Sequence, residues 1–354
     1  MTRFASIAAI LLGLAGTLHT ETEILRQDFF VDGDPGIHLF VREVVIGSEH
    51  GGIIGEPILL LHGARVPGLA SFDLPVPGGS FAADLAKRGF DVYVMDVRGY
   101  GRSSRPKEME EPPDAHAPLV RSNDAAHDIS AVVDAICRRR GVARVGLFGW
   151  ATGGQWAGYY ASVHPGKLSA LILLNSIYRG NSQQPLIGRG TDSEDPAHPG
   201  RFNAASCGAY RFNDAASLLR PWDHSIPVED KSEWRDPAIA KAYVEAALAS
   251  DPTSQSRTPP SFRSPCGAME DSFYLVVGRQ LWDASLIIAP TLVVASGRDF
   301  WSRQEDREHL ATDLVHSRRV RVVVIPGATH FLHLDRPDRG RTKLLEAIGA
   351  FLKN

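Results

Sequence analysis

Six short apolar runs constrain the fold of this chain more than any other feature. They are PILLLHG (57–63), DVYVMD (91–96), RVGLFG (144–149), ALILLN (170–175), TLVVAS (291–296) and RVVVIP (321–326), each ending in a polar or glycine-rich turn. A strand that is apolar on both faces has no side to offer water, and such strands belong to parallel sheets covered by helices. Helix-period segments separate the runs: SFAADLAKRG, NDAAHDISAVVDAICRRRG, GGQWAGYYASVHPG, REHLATDLVHS and TKLLEAIGAFLK. Ser122 or Asn123 is the expected N-cap of the second of these and Gly141 its stop. The alternation predicts an α/β fold with a mostly parallel, doubly wound sheet. Upstream, ILRQDFFV and IHLFVREVV read as a pair of strands. In such sheets ligands bind beyond the carboxyl ends of the strands.

One interval, 178–278, breaks the alternation. It is rich in Pro, Ser, Asp, Arg and aromatics, and too long to be a structureless loop. It reads as a cap or lid inserted after the sixth core strand, with 21–177 and 279–354 forming the core. One helix is evident inside it, DPAIAKAYVEAALAS, with Pro237 at its start. Of the three cysteines, Cys207 and Cys266 fall in or beside this irregular region and are read either as a pair or as free thiols, with Cys137 on a helix. None has metal-ligand spacing. Residues 1–20 are read as a signal peptide, which places the mature protein in the periplasm or outside the cell, or as an N-terminal helix of a cytoplasmic protein. Their apolar run is too short to span a bilayer, so no stable membrane insertion is expected. A formal net charge of −3 lacks the basic excess that phosphate neutralisation needs, which argues against nucleic acid. A small molecule is the expected partner, and a homodimer is compatible with the sequence.

Within LFGWATGG, residues Gly149, Ala151 and Gly153 match G-x-S-x-G with alanine in the serine position. A strand precedes the match and a helix follows it, which is the setting in which a strained turn presents a nucleophile. With LLLHG (59–63), DVRGYGRSSRP (96–106), APTLVVASGRD (289–299) and PGATHFLHLDRP (326–337), the chain resembles the α/β-hydrolases, in particular the serine esterases and lactonases. The order of nucleophile position, acid and histidine is the one that family shows.

The resemblance implies roles. His330 would take and return the nucleophile's proton, and Asp299 would hold its ring in the useful tautomer. The rivals are His333 for the first and Glu305 or Asp306 for the second. Asn175 stands where some relatives carry the acid. The backbone amides of Ala64 and Thr152 would bind a developing oxyanion. His62 would shape the oxyanion turn, and Arg98 and Ser103 would brace the core. Arg65, Trp150 and Trp301 are candidates to touch substrate. Trp156, Trp222, Trp234, Phe273, Tyr274, Trp282 and Phe300 are further aromatics of which a few would face it. Neither a cofactor nor a metal is implied.

A methyl group cannot attack a carbonyl, so this chain is not expected to form an acyl-enzyme. A serine-to-alanine change, of the kind made to hold a bound substrate, removes one oxygen and leaves Asp299, His330 and the oxyanion turn intact. That is the favoured expectation: a hydrolase of a carboxylic ester or lactone of moderate size, inactivated at 151. An aspartate nucleophile is disfavoured, because families that use one prefer tryptophan where this chain has Thr152, and cysteine is less common than serine. The alternative is a natural, non-catalytic small-ligand-binding protein on a hydrolase frame.

Overall fold

The structure, a computed structural model, describes residues 23–47 and 55–353. The N-terminal segment 1–20, read as a signal or a helix, lies outside the described residues. The main sheet is built in chain order from β1 (Ile24–Asp32), β2 (His38–Ile46), β3 (Pro57–Leu61), β4 (Asp91–Met95), β5 (Val145–Trp150) and β6 (Leu168–Leu174). A separate two-stranded sheet then pairs β7 (Tyr210–Asp214) with β8 (Ser261–Pro265) antiparallel, before β9 (Thr291–Arg298) and β10 (Val320–Thr329) complete the main sheet. Its spatial order is β1-β2-β4-β3-β5-β6-β9-β10. β1, β2 and β4 pair antiparallel in turn, and every contact from β4 to β10 is parallel.

The double apolarity of the central runs has the expected cause: every residue of β3, β4 and β5 is buried. β10 departs from that expectation. It closes one edge of the sheet, and Val320, Val322 and Val324 are exposed, because an edge strand lacks a neighbour on one side.

The connecting helices are α1 (Gly68–Phe72), α2 (Phe81–Ala86), α3 (Ser122–Arg140) and α4 (Thr152–Val163), then α5 (Ala215–Ser225), α6 (Pro237–Ala249), α7 (Gly267–Val276), α8 (Gln304–Asp313) and α9 (Arg341–Leu352). Gly141 ends α3 in the left-handed conformation, as its sequence implied. The N-cap is Arg121, not Ser122 or Asn123. The Ser122 hydroxyl and amide both donate to the Asp271 carboxylate on α7, at 2.7 Å each, so Ser122 is spent on a tertiary contact and sits one residue inside the helix.

The interval between β6 and β9 is ordered around two links that the sequence did not settle. Cys207 and Cys266 form a disulfide. Asp251 is buried against Arg263, whose Nε donates to it at 2.9 Å while Nη1 donates to the Met109 carbonyl at 2.6 Å. Burial alone would raise the Asp251 pKa, but hydrogen bonds from Arg263 and Thr253 outweigh it and hold the carboxyl well below the usual range. With a depressed folded-state pKa, the pair's contribution is present above the ordinary aspartate range and is lost as acid carries the pH down through the folded value. Asp251→Ala leaves a buried guanidinium without its partner and is expected to cost about 3–5 kcal/mol in urea unfolding at neutral pH. Among the described residues no helix is long and apolar enough to cross a membrane, and no cluster of side chains could hold a metal ion.

Candidate active site

The turn between β5 and α4 is shaped by two glycines and one strained residue. A Cβ on Gly149 would run into the carbonyl of Gly153, and a Cβ on Gly153 into the carbonyls of Leu61 and His62 on the neighbouring strand end. Only glycine lets these backbones approach, which is the physical content of the G-x-x-x-G spacing. Gly153→Ala sets backbone against backbone and is expected to cost about 3 kcal/mol or more in urea unfolding. Gly166→Ala, where a Cβ meets nothing within 4 Å, should stay within about 0.5 kcal/mol of the parent.

Between them Ala151 has φ 53° and ψ −116°, a conformation that costs a non-glycine residue about 1–3 kcal/mol. It is held by its amide, which donates to the Leu174 carbonyl at 2.8 Å, and by its carbonyl, which accepts from Gly154 at 3.0 Å. The turn therefore presents the Ala151 methyl to the cavity at the start of α4.

His330 stands on the same cavity, in the loop after β10. Its Nδ1 lies 2.6 Å from Asp299 Oδ1, which leaves Nε2 without a partner among the described residues. The imidazole sits between Trp150 and Phe300, with ring centroids 5.2 and 4.5 Å away. The backbone of His330 is fixed from below: its carbonyl accepts from Trp150 Nε1 at 3.0 Å and from Asn175 Nδ2 at 3.2 Å. Asn175 also takes the Ser296 amide at 2.8 Å, so the residue that follows β6 ties β9 to the His330 backbone. Asp299 Oδ2 accepts the Ser302 amide at 2.8 Å, and its Oδ1 the Trp301 amide at 3.1 Å.

The rivals lie elsewhere. Asp306 accepts from Arg303 and the Tyr178 amide, and Glu305 from Ser182. His333 is completely buried against the rings of Trp150, Phe72 and Phe81, and burial pushes its pKa far down.

Ala64 and Thr152 line the cavity beside Ala151, and neither amide has a hydrogen-bond partner among the described residues. Thr152 opens α4, whose first amides have no partner within the helix. His62 is fully buried and uses both ring nitrogens, on the Gly63 carbonyl at 2.7 Å and the Val97 amide at 3.2 Å. Burial lowers its pKa, so the ring is neutral and braces the turn. The 96–106 stretch braces as well. The Asp96 carboxylate accepts the amides of Gly68 and Arg102, Ser103 bridges Asp96 and Phe40, and Arg98 pairs with Asp128.

The cavity has a volume of about 330 Å³, at the small end of small-molecule sites. Of the aromatics considered from the sequence, Trp150, Phe300 and Trp301 line it, whereas Trp156, Trp222, Trp234, Phe273, Tyr274 and Trp282 do not. Arg65 lines it too, its Nη1 donating to the Ser217 carbonyl at 2.8 Å. The remaining wall comes from the interval between β6 and β9, including Arg211 on β7, Leu218 on α5 and Tyr243 on α6. Sequence reasoning missed these residues. The alternation in YRFND was the one local sign of β7, and its partner strand lies some fifty residues away.

Comparison with known proteins agrees with this architecture. The chain is similar in structure to an esterase from Thermogutta terrifontis (20% identity, TM-score 0.56, 92% of this chain and 98% of that one). It is likewise similar to the esterase RhEst1 from Rhodococcus sp. ECU1013 (18%, 0.57, 92% and 98%). A third is a serine-to-alanine mutant of the meta-cleavage product hydrolase from Pseudomonas fluorescens IP01 (16%, 0.57, 91% and 97%). No curated protein sequence matches the chain. The family model described as alpha/beta hydrolase fold matches residues 56–337, and the chain belongs to that family.

Proposed function

We propose that this is the site of a serine hydrolase that acts on a carboxylic ester or lactone of moderate size, with alanine standing at 151 in place of the nucleophilic serine. The observation that carries the reading is Ala151 itself. A residue with no reactive side chain occupies a strained turn facing the cavity that holds His330. Strain of this kind persists where it positions a functional group. That two of the similar structures are named as esterases supports the choice of esters.

With serine at the turn, the hydroxyl proton passes to His330 Nε2 as the oxygen attacks the substrate carbonyl, and Asp299 stabilises the imidazolium. The carbonyl oxygen gains the negative charge and is received by the Ala64 and Thr152 amides. Collapse expels the alkoxide, which takes the proton from His330. Water then repeats the sequence on the acyl-enzyme, returning the acid and the serine. Neither metal nor cofactor enters these steps. The interval 178–278 acts as a cap that closes the acyl site with Leu218 and Tyr243.

Turnover of a panel of p-nitrophenyl esters and lactones by the Ala151→Ser variant tests the reading. Hydrolysis by the variant and its absence in the parent chain is the expected result. Absence from both, in a folded variant, overturns it in favour of a ligand-binding protein.

A further inference from the structure

The cavity lining carries two cations that have no ion-pair partner among the described residues. Arg65, from the loop after β3, and Arg211, on β7, both line the space that Ala151 and His330 face. Neither forms an ion pair with a described residue, and no Asp or Glu is among the described residues of the lining. Arg65 has its single hydrogen bond to a carbonyl. Arg211 Nε is buried with no hydrogen-bond partner at all.

Taking a guanidinium out of water without a counter-charge is costly, and two such groups side by side repel each other. The Arg211 pKa reflects this: burial, then the neighbouring Arg65 charge, push it down to about 9, so the group is still a cation at neutral pH. Tyr243 on α6 lines the same cavity, and its hydroxyl has no hydrogen-bond partner among the described residues. Burial raises its pKa, so the phenol keeps its proton and can donate. Arg263 and Arg98, elsewhere in the molecule, are matched by Asp251 and Asp128.

We infer that Arg65, Arg211 and Tyr243 form an anion subsite, and that the substrate carries a carboxylate at a short distance from its scissile carbonyl. The ligand class is then the half-ester of a short dicarboxylic acid, or a lactone or ester bearing a free carboxylate. The guanidinium forks match a planar carboxylate, and their charge-assisted hydrogen bonds would offset the desolvation of the two cations. The designation of the ligand as an ester rests on the proposed hydrolase function, whereas the anion subsite rests on the two arginines alone.

The parent chain, which retains Ala151, allows binding to be read without turnover. Isothermal titration calorimetry with the monomethyl esters of succinate, glutarate and adipate, each against its neutral dimethyl ester, gives the comparison. At least one half-ester is expected to bind about 10- to 100-fold more tightly than its diester. Arg211→Gln and Arg65→Gln should each abolish most of that preference, read as the ratio of half-ester to diester affinity. Equal or undetectable binding of all three half-esters relative to their diesters in the parent overturns the inference, whether or not the variants fold. Retention of the preference in folded Arg211→Gln also overturns it. A hydrolase reading that fails would show instead as an inactive Ala151→Ser variant that still prefers the half-ester.

Discussion

Ala151→Ser is expected to raise kcat on an activated aryl ester by about a million-fold, the factor that separates an intact triad from one lacking its serine. The gain depends on the turn, whose strained backbone already faces the cavity. Ala151 adopts φ 53° with its amide held by Leu174, and the added oxygen needs no backbone change. The proposed base is also held, with His330 Nδ1 at 2.6 Å from Asp299. The parent chain keeps the free amides of Ala64 and Thr152 and the binding cavity, so a small residual rate is expected from those alone. Initial rates of p-nitrophenol release from both proteins check the prediction. A gain below about tenfold would mean that position 151 does not serve the His330–Asp299 pair.

The second large effect is expected at Asp299. In the Ala151→Ser background, Asp299→Asn should lower kcat by about 10⁴-fold, because the amide no longer fixes the imidazole tautomer or stabilises its cation. Folding should be little disturbed, since with the amide nitrogen facing His330 the side-chain oxygen can still accept from the Ser302 amide and hydroxyl. Glu305→Gln serves as the comparison. Its carboxylate binds Ser182 and Arg303, away from His330, and its removal should leave kcat within about twofold. Steady-state rates with folding checked by circular dichroism separate the two. Equal losses at both positions would dissolve the assignment of the acid.

The parts of the molecule that were legible in the sequence are those where local pattern and tertiary environment agree. Runs such as PILLL and DVYVM are wholly apolar because both faces of their strands are covered, so composition and burial coincide. The grouping of Ala151, Asp299 and His330 was legible because each follows a strand of the parallel sheet, and the structure brings them to one place. What stayed hidden depends on pairing across distance. β7 is five residues long and finds its partner β8 only through the chain between them, so Arg211 carried no local sign of facing the cavity. Ser122 looks like a helix cap until Asp271, 149 residues away, claims its hydroxyl. The exposed valines of β10 resemble a buried run, because sequence does not reveal which strand is the edge. Arg65 was a candidate to touch substrate, and the structure adds a second cation, Arg211, on the same cavity.

The central claim, that position 151 is the nucleophile position of a His330–Asp299 hydrolase, is tested most directly by a fluorophosphonate probe. Peptide mass spectrometry after labelling of folded Ala151→Ser should find the adduct on the residue at 151. Labelling should be absent from the parent chain and strongly slowed by His330→Ala in the variant background. A folded variant that takes no label, or that labels equally fast without His330, would contradict the account.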